Sequence, residues 1–181
     1  MRIYDYDSGG IRQGPILRLA VLILIVGFSS IVEAGGIDDQ PLAIALKNVR
    51  GTLEEGLKAV ERTGRKPISA SFAVDRGVVR LSVTGYAEDG TFSEVLLYPT
   101  IRMITETPEV ADPAKLKIAT EQKQAMDRAL VSLLTATEDA VKASYGYRAV
   151  SVFPMLEEGD SIAVVKLLGN GEFKIVAEKL N

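Results

Sequence analysis

The sequence predicts an α+β fold made of two units, each a helix followed by a three-stranded antiparallel meander, joined by a long helix. Three observations predict it. A helix-start pattern and a helix-stopping glycine recur, from Thr52 to Gly64 and from Thr135 to Gly146. A polar turn follows each stop at the same distance, "DRG" ending at Gly77 and "EEG" ending at Gly159. A turn-forming dipeptide then closes each half, Asp89-Gly90 and Asn170-Gly171, a pair type that favours the positive-φ turns of two-residue hairpins.

Leu19 to Val32, "LAVLILIVGFSSIV", is uncharged and mostly apolar, preceded by Arg12 and Arg18. It is shorter than the roughly 20 residues of a spanning helix, and Val32-Glu33-Ala34 has the small-residue pattern of a signal-peptidase site. Residues 1–34 are therefore expected to be a signal peptide cleaved after Ala34, placing the chain in the periplasm or outside the cell. The alternative is a retained membrane anchor, which the long leading segment with Asp5 and Asp7 keeps open.

The first unit is expected over residues 35–108. Thr52 with Glu55 forms a capping box, in which each side chain satisfies a free backbone N–H at a helix start. Leu53, Leu57 and Val60 follow at helical spacing, and Gly64 with Pro67 reads as a stop. In "ISASFAV", Ile68, Ala70, Phe72 and Val74 alternate with small residues, the two-residue period of a strand with one buried face. "VVRLSVTGY" and "TFSEVLLY" supply the second and third strands, and Ile101 to Ile104 extends or restarts a strand before Pro108 and Pro113 end it.

The second unit is expected over residues 109–181. Met126, Leu130, Leu133, Thr137 and Val141 track one helical face with no glycine or proline before Gly146. The spacing predicts one continuous helix from about Pro113 to Tyr145, with Thr135 inside its course. "VSVFPML", "SIAVVKLL" and "EFKIVAEKL" then form the second meander.

Composition narrows the function classes. Of 181 residues 47% are hydrophobic, enough for a packed core. The net charge of −3 is unchanged by removing the leader, which carries three basic and three acidic residues. A nucleic-acid partner is not expected, because it needs a basic face to replace condensed counterions. There is no cysteine and no histidine, which excludes disulfides, thiolate zinc sites, and Ser-His-Asp or Cys-His catalysis. No S-x-x-K element or G-x-S-x-G elbow occurs.

Candidate sites are correspondingly few. Glu157, Glu158 and Asp160 surround a turn that could offer oxygen ligands to a cation, but without EF-hand spacing they read as a solvated turn. Glu54 and Glu55 complement a helix dipole, as Arg62, Arg65 and Lys66 do at its other end. Gly169-Asn170-Gly171 reads as a hairpin before it reads as a fragment of a dinucleotide fingerprint. No enzymatic activity, cofactor or metal is expected. Phe153, Met155, Val165 and Leu167 are expected to point opposite to Val150, Val152, Ile162 and Val164, making both faces of the second sheet apolar. Either the two units pack together through this extra face or it receives a partner.

The stretches "EEGLKAVERTG", "DRG", "VVRLSV" and "FSEVLLY", over Leu53 to Tyr98 and more loosely over Ala136 to Leu180, resemble the PepSY family of small exported bacterial modules, also found in propeptides of thermolysin-type metalloproteases. The sequence departs from the family at "YPTIRMI", Tyr98 to Ile104, where many members carry an acidic residue and a Thr-Gly turn. The resemblance implies a non-catalytic protein that binds, and inhibits or regulates, an extracytoplasmic peptidase or another exported protein. A structural envelope component acting as a homodimer is the alternative. Contact with the membrane is expected only if the leader is retained.

Overall fold

The computed structural model describes residues 39–100, 103–107 and 109–181; the expected leader and its expected cleavage point, Ile101, Arg102 and Pro108 lie outside them. In chain order the elements are α1 (Asp39–Leu46), α2 (Leu53–Glu61), β1 (Lys66–Asp75), β2 (Val78–Tyr86), β3 (Phe92–Tyr98), β4 (Met103–Thr107), α3 (Pro113–Met126), α4 (Leu133–Ala143), β5 (Arg148–Glu157), β6 (Asp160–Gly169) and β7 (Glu172–Lys179).

Local chemistry sets many of these boundaries. At α2 both capping-box bonds form: Thr52 N–H donates to Glu55 Oε2 at 3.0 Å and Glu55 N–H to Thr52 Oγ1 at 3.2 Å. Leu53, Leu57 and Val60 are its buried stripe. Arg76-Gly77 joins β1 to β2 and Glu158-Gly159 joins β5 to β6, with both residues of each pair at positive φ. Asn170-Gly171 is a third such turn. Asp89-Gly90 is not: Tyr86 pairs with Phe92, so the connection has five residues, closed by Ala87 N–H donating to the Thr91 carbonyl at 3.0 Å.

The expected architecture of two separate meanders is overturned by the sheet. All seven strands form one antiparallel sheet in the order β4-β3-β2-β1-β5-β6-β7. The halves meet edge to edge, not face to face, where Ala70 pairs with Val152 and Ser71 with Ser151. Positions 82 apart correspond across the junction, as in Gly64 and Gly146 or Gly77 and Gly159. Ala70 and Val152 are 82 apart as well, so a local twofold passes between them. The irregularities in β1 and β5 obey the same offset, with Ile68 and Val150 each the extra residue of a bulge.

The long helix expected from Pro113 to Tyr145 is also overturned. It divides into α3 and α4 across Asp127 to Ser132. Leu130 and Val131 donate their N–H groups to the Leu180 carbonyl at 2.6 and 2.9 Å, bonds that a continuous helix would spend internally. Ser132 caps the new helix by accepting from Thr135 N–H at 3.0 Å. α3 and α4 thereby match α1 and α2 in order.

α2 and α4 cover one face of the sheet. Its central row runs Val95, Val83, Ala70, Val152, Val165 and Val176 across six strands, packed with Leu57 and Val60 of α2 and Leu133, Ala136 and Ala140 of α4. α3 lies along one end of the strands, with Lys115 Nζ 3.1 Å from Glu94 Oε2, Lys123 Nζ 5.0 Å from the Tyr86 ring centroid, and the Ala125 carbonyl accepting from Ser161 Oγ at 2.8 Å. α1 is fastened at the opposite end by Arg148, whose guanidinium donates to the carbonyls of Leu46 at 3.3 Å, Val49 at 2.8 Å and Gly51 at 2.5 Å, 5.4 Å from the Phe72 ring centroid.

Candidate functional site

The face of the sheet opposite α2 and α4 is the candidate site. One row of it can be followed through all seven strands: Thr105, Leu96, Ser82, Ser71, Ser151, Lys166 and Ile175. Its middle carries hydroxyls and its β7 end is apolar. A neighbouring row, Phe153, Val164 and Ala177, extends the apolar corner, and Met155 pairs with Ile162 beside it. Phe153, Met155 and Val164 are half-buried, Ala177 is exposed, and Ile175 keeps 65% of its surface in solvent.

The four residues expected on this face divide. Phe153 and Met155 lie on it. Val165 and Leu167 do not: Val165 pairs with Val152, Leu167 with Ala149, and both are fully buried in the core beneath the helices. Val164 and Ile162 take their places on the open side. The bulge at Val150 brings two consecutive apolar residues, Ala149 and Val150, into the core, and it shifts which β6 residues share a face with Phe153. That apolar doublet within an alternating strand is the signal that sequence reasoning passed over. The second half is therefore apolar on both faces, but the open face is not buried against the first half.

Charge surrounds the apolar corner. Lys166 Nζ bonds Asp39 Oδ1 at 2.5 Å and sits 4.6 Å over the Phe173 ring. On the other face of β7, the one that carries Val176, Glu178 has its carboxyl pushed up by burial and by the neighbouring Asp139 carboxylate. The acidic turn is spoken for: Asp160 is held below the usual carboxylate range by Asn181 and by Lys179, whose Nζ is 3.3 Å away. Among the described residues no group of three or more acidic side chains gathers as a metal site. Arg65 pairs with Glu106 of β4, and Gly169-Asn170-Gly171 forms the β6–β7 hairpin.

Among the described residues no helix is long and apolar enough to cross a membrane. No family model matches the chain, and no curated protein matches it. Among solved structures, the crystal structure of a "putative lipoprotein" from Clostridium difficile 630 is similar over 75% of this chain and 98% of that chain, at 12% identity and a TM-score of 0.39.

Proposed function

We propose that this is an exported, non-catalytic binding protein whose open sheet face receives an apolar segment of another exported protein. The observation that carries the reading is the corner formed by Phe153, Met155, Val164, Ile175 and Ala177, an apolar patch on the side of the sheet away from α2 and α4. A half-buried aromatic among aliphatic neighbours, rimmed by Lys166 and Lys179, has the makeup of a protein-binding patch. The PepSY resemblance names an extracytoplasmic peptidase as the partner class. Export is supported by the apolar run from Leu19 to Val32 and the cleavage pattern ending at Ala34.

The test is retrieval from an envelope extract by the wild-type chain beside Phe153→Asp, with peptidase activity measured on what is retained. The reading expects a specific peptidase retained and inhibited by the wild type and lost with Phe153→Asp. Equal retention by both chains refutes this face as the site; retention of a partner without peptidase activity refutes the peptidase assignment alone. Intact mass of the exported chain should place its first residue at Gly35.

A further inference from the structure

We infer that β7 is a self-association edge, on which two copies of this chain pair antiparallel about Val176 to continue the sheet. Among the described residues β7 pairs only with β6, leaving eight residues of regular strand with a free outer edge. Such an edge accepts another strand unless charge or irregularity blocks it. Lys174 and Lys179 are charges of the blocking kind, so the partner must answer them.

The sequence of β7 answers them itself. Antiparallel pairing of two copies keeps the faces aligned only when residues of like parity meet. Centring on Val176 places Lys174 of each copy opposite Glu178 of the other, twice, on the face that carries Val176. On the open face it sets Ile175 against Ala177 and Phe173 against Lys179. Centring on Ile175 would oppose Glu172 to Glu178, and centring on Ala177 would oppose Lys179 to Ile175. Parallel in-register pairing would stack each lysine on its own copy. Of these registers the Val176 one alone sets Lys174 against Glu178, and it leaves Glu172 opposite Leu180 beyond the end of the strand.

The unpaired state of these groups in one chain agrees. Among the described residues neither Lys174 nor Glu178 has an ion-pair partner; Lys174 Nζ donates to Ser144 Oγ at 3.1 Å, and Glu178 faces the Asp139 carboxylate. A second copy supplies each with the opposite charge and covers Ile175, which is 65% exposed. The arrangement is isologous, as a twofold dimer requires. It stands independently of the foreign partner proposed above, because it uses the edge of β7 and not the surface of Phe153.

The chain has no cysteine, so Val176→Cys in the full chain introduces its only thiol. Opposed Cα atoms of an antiparallel pair are about 4.5–5.5 Å apart, within disulfide reach. Mild oxidation should cross-link Val176→Cys into a covalent dimer, while Ile175→Cys alone cross-links slowly and a mixture of Ile175→Cys with Ala177→Cys cross-links readily. In sedimentation equilibrium Lys174→Glu should weaken the dimer about tenfold or more, through two lost pairs and two new repulsions. Lys174→Glu combined with Glu178→Lys should restore it. A wild-type chain that stays monomeric at every accessible concentration overturns the inference. So does a Val176→Cys chain that does not cross-link, a dimer indifferent to Lys174→Glu, or a double variant that stays weakened.

Discussion

Replacing Arg148 with alanine should cost this protein about 3 kcal/mol of stability, the largest effect expected from any one polar side chain. Its guanidinium closes three hydrogen bonds to the carbonyls of Leu46, Val49 and Gly51, which end α1 and lead into α2. Bonds to a charged group contribute about 1.5–3 kcal/mol each, but these three share one cation and removing it lets water reach the carbonyls. The set is then worth roughly 3 kcal/mol, with about 0.5–1 kcal/mol more from the guanidinium above Phe72. Burial opposes this by holding the guanidinium below the usual arginine range, against a smaller favourable influence of Glu54, so the total stays near 3 kcal/mol. Urea unfolding followed by circular dichroism should show the midpoint fall without a change in slope, and the thermal midpoint should drop by roughly 10 °C. Arg148→Lys keeps the charge but not the planar fork, and should recover no more than about 1 kcal/mol. An alanine variant within about 0.5 kcal/mol of wild type, or a lysine variant equal to it, would refute the clamp.

Two further outcomes follow from particular contacts. Burial raises the Glu94 carboxyl, but the hydrogen bonds from Ser82 and Lys115, with the charges of Lys115 and Arg80, bring it below its ordinary value near 4.5. The unfolded chain therefore takes up the proton first, and the stability this group contributes is present above that value and lost as pH falls through its depressed folded value. Unfolding free energies of wild type and Glu94→Gln should differ by about 1 kcal/mol at neutral pH and converge in acid; a gap that is constant with pH would contradict the assignment. Gly56→Ala should destabilise by about 1–2 kcal/mol although alanine is the better helix former by about 1 kcal/mol, because the new Cβ would collide with the Leu81 side chain in the core. A thermal midpoint at or above wild type would show that Leu81 can yield.

Short-range features were legible in the sequence: the capping box at Thr52 and Glu55, the stripe of Leu53, Leu57 and Val60, the turns at Arg76-Gly77, Glu158-Gly159 and Asn170-Gly171, and the alternating strands between them. These are fixed within a few residues by hydrogen bonds near a helix end and by the sterics of positive φ, so short segments carry them. The remaining features depend on contacts between distant segments. Nothing local to β1 or β5 states that their edges join, because an edge offers the same N–H and C=O groups to any strand. The break between α3 and α4 depends on the Leu180 carbonyl, some fifty residues away along the chain. The candidate site was half legible for a related reason: Phe153 and Met155 were placed by alternation, but one extra residue at Val150 changed their partners on β6 and sent Val165 and Leu167 into the core. A period of two names the residues that share a face within a strand, and only the register between strands says which face of the neighbour they join.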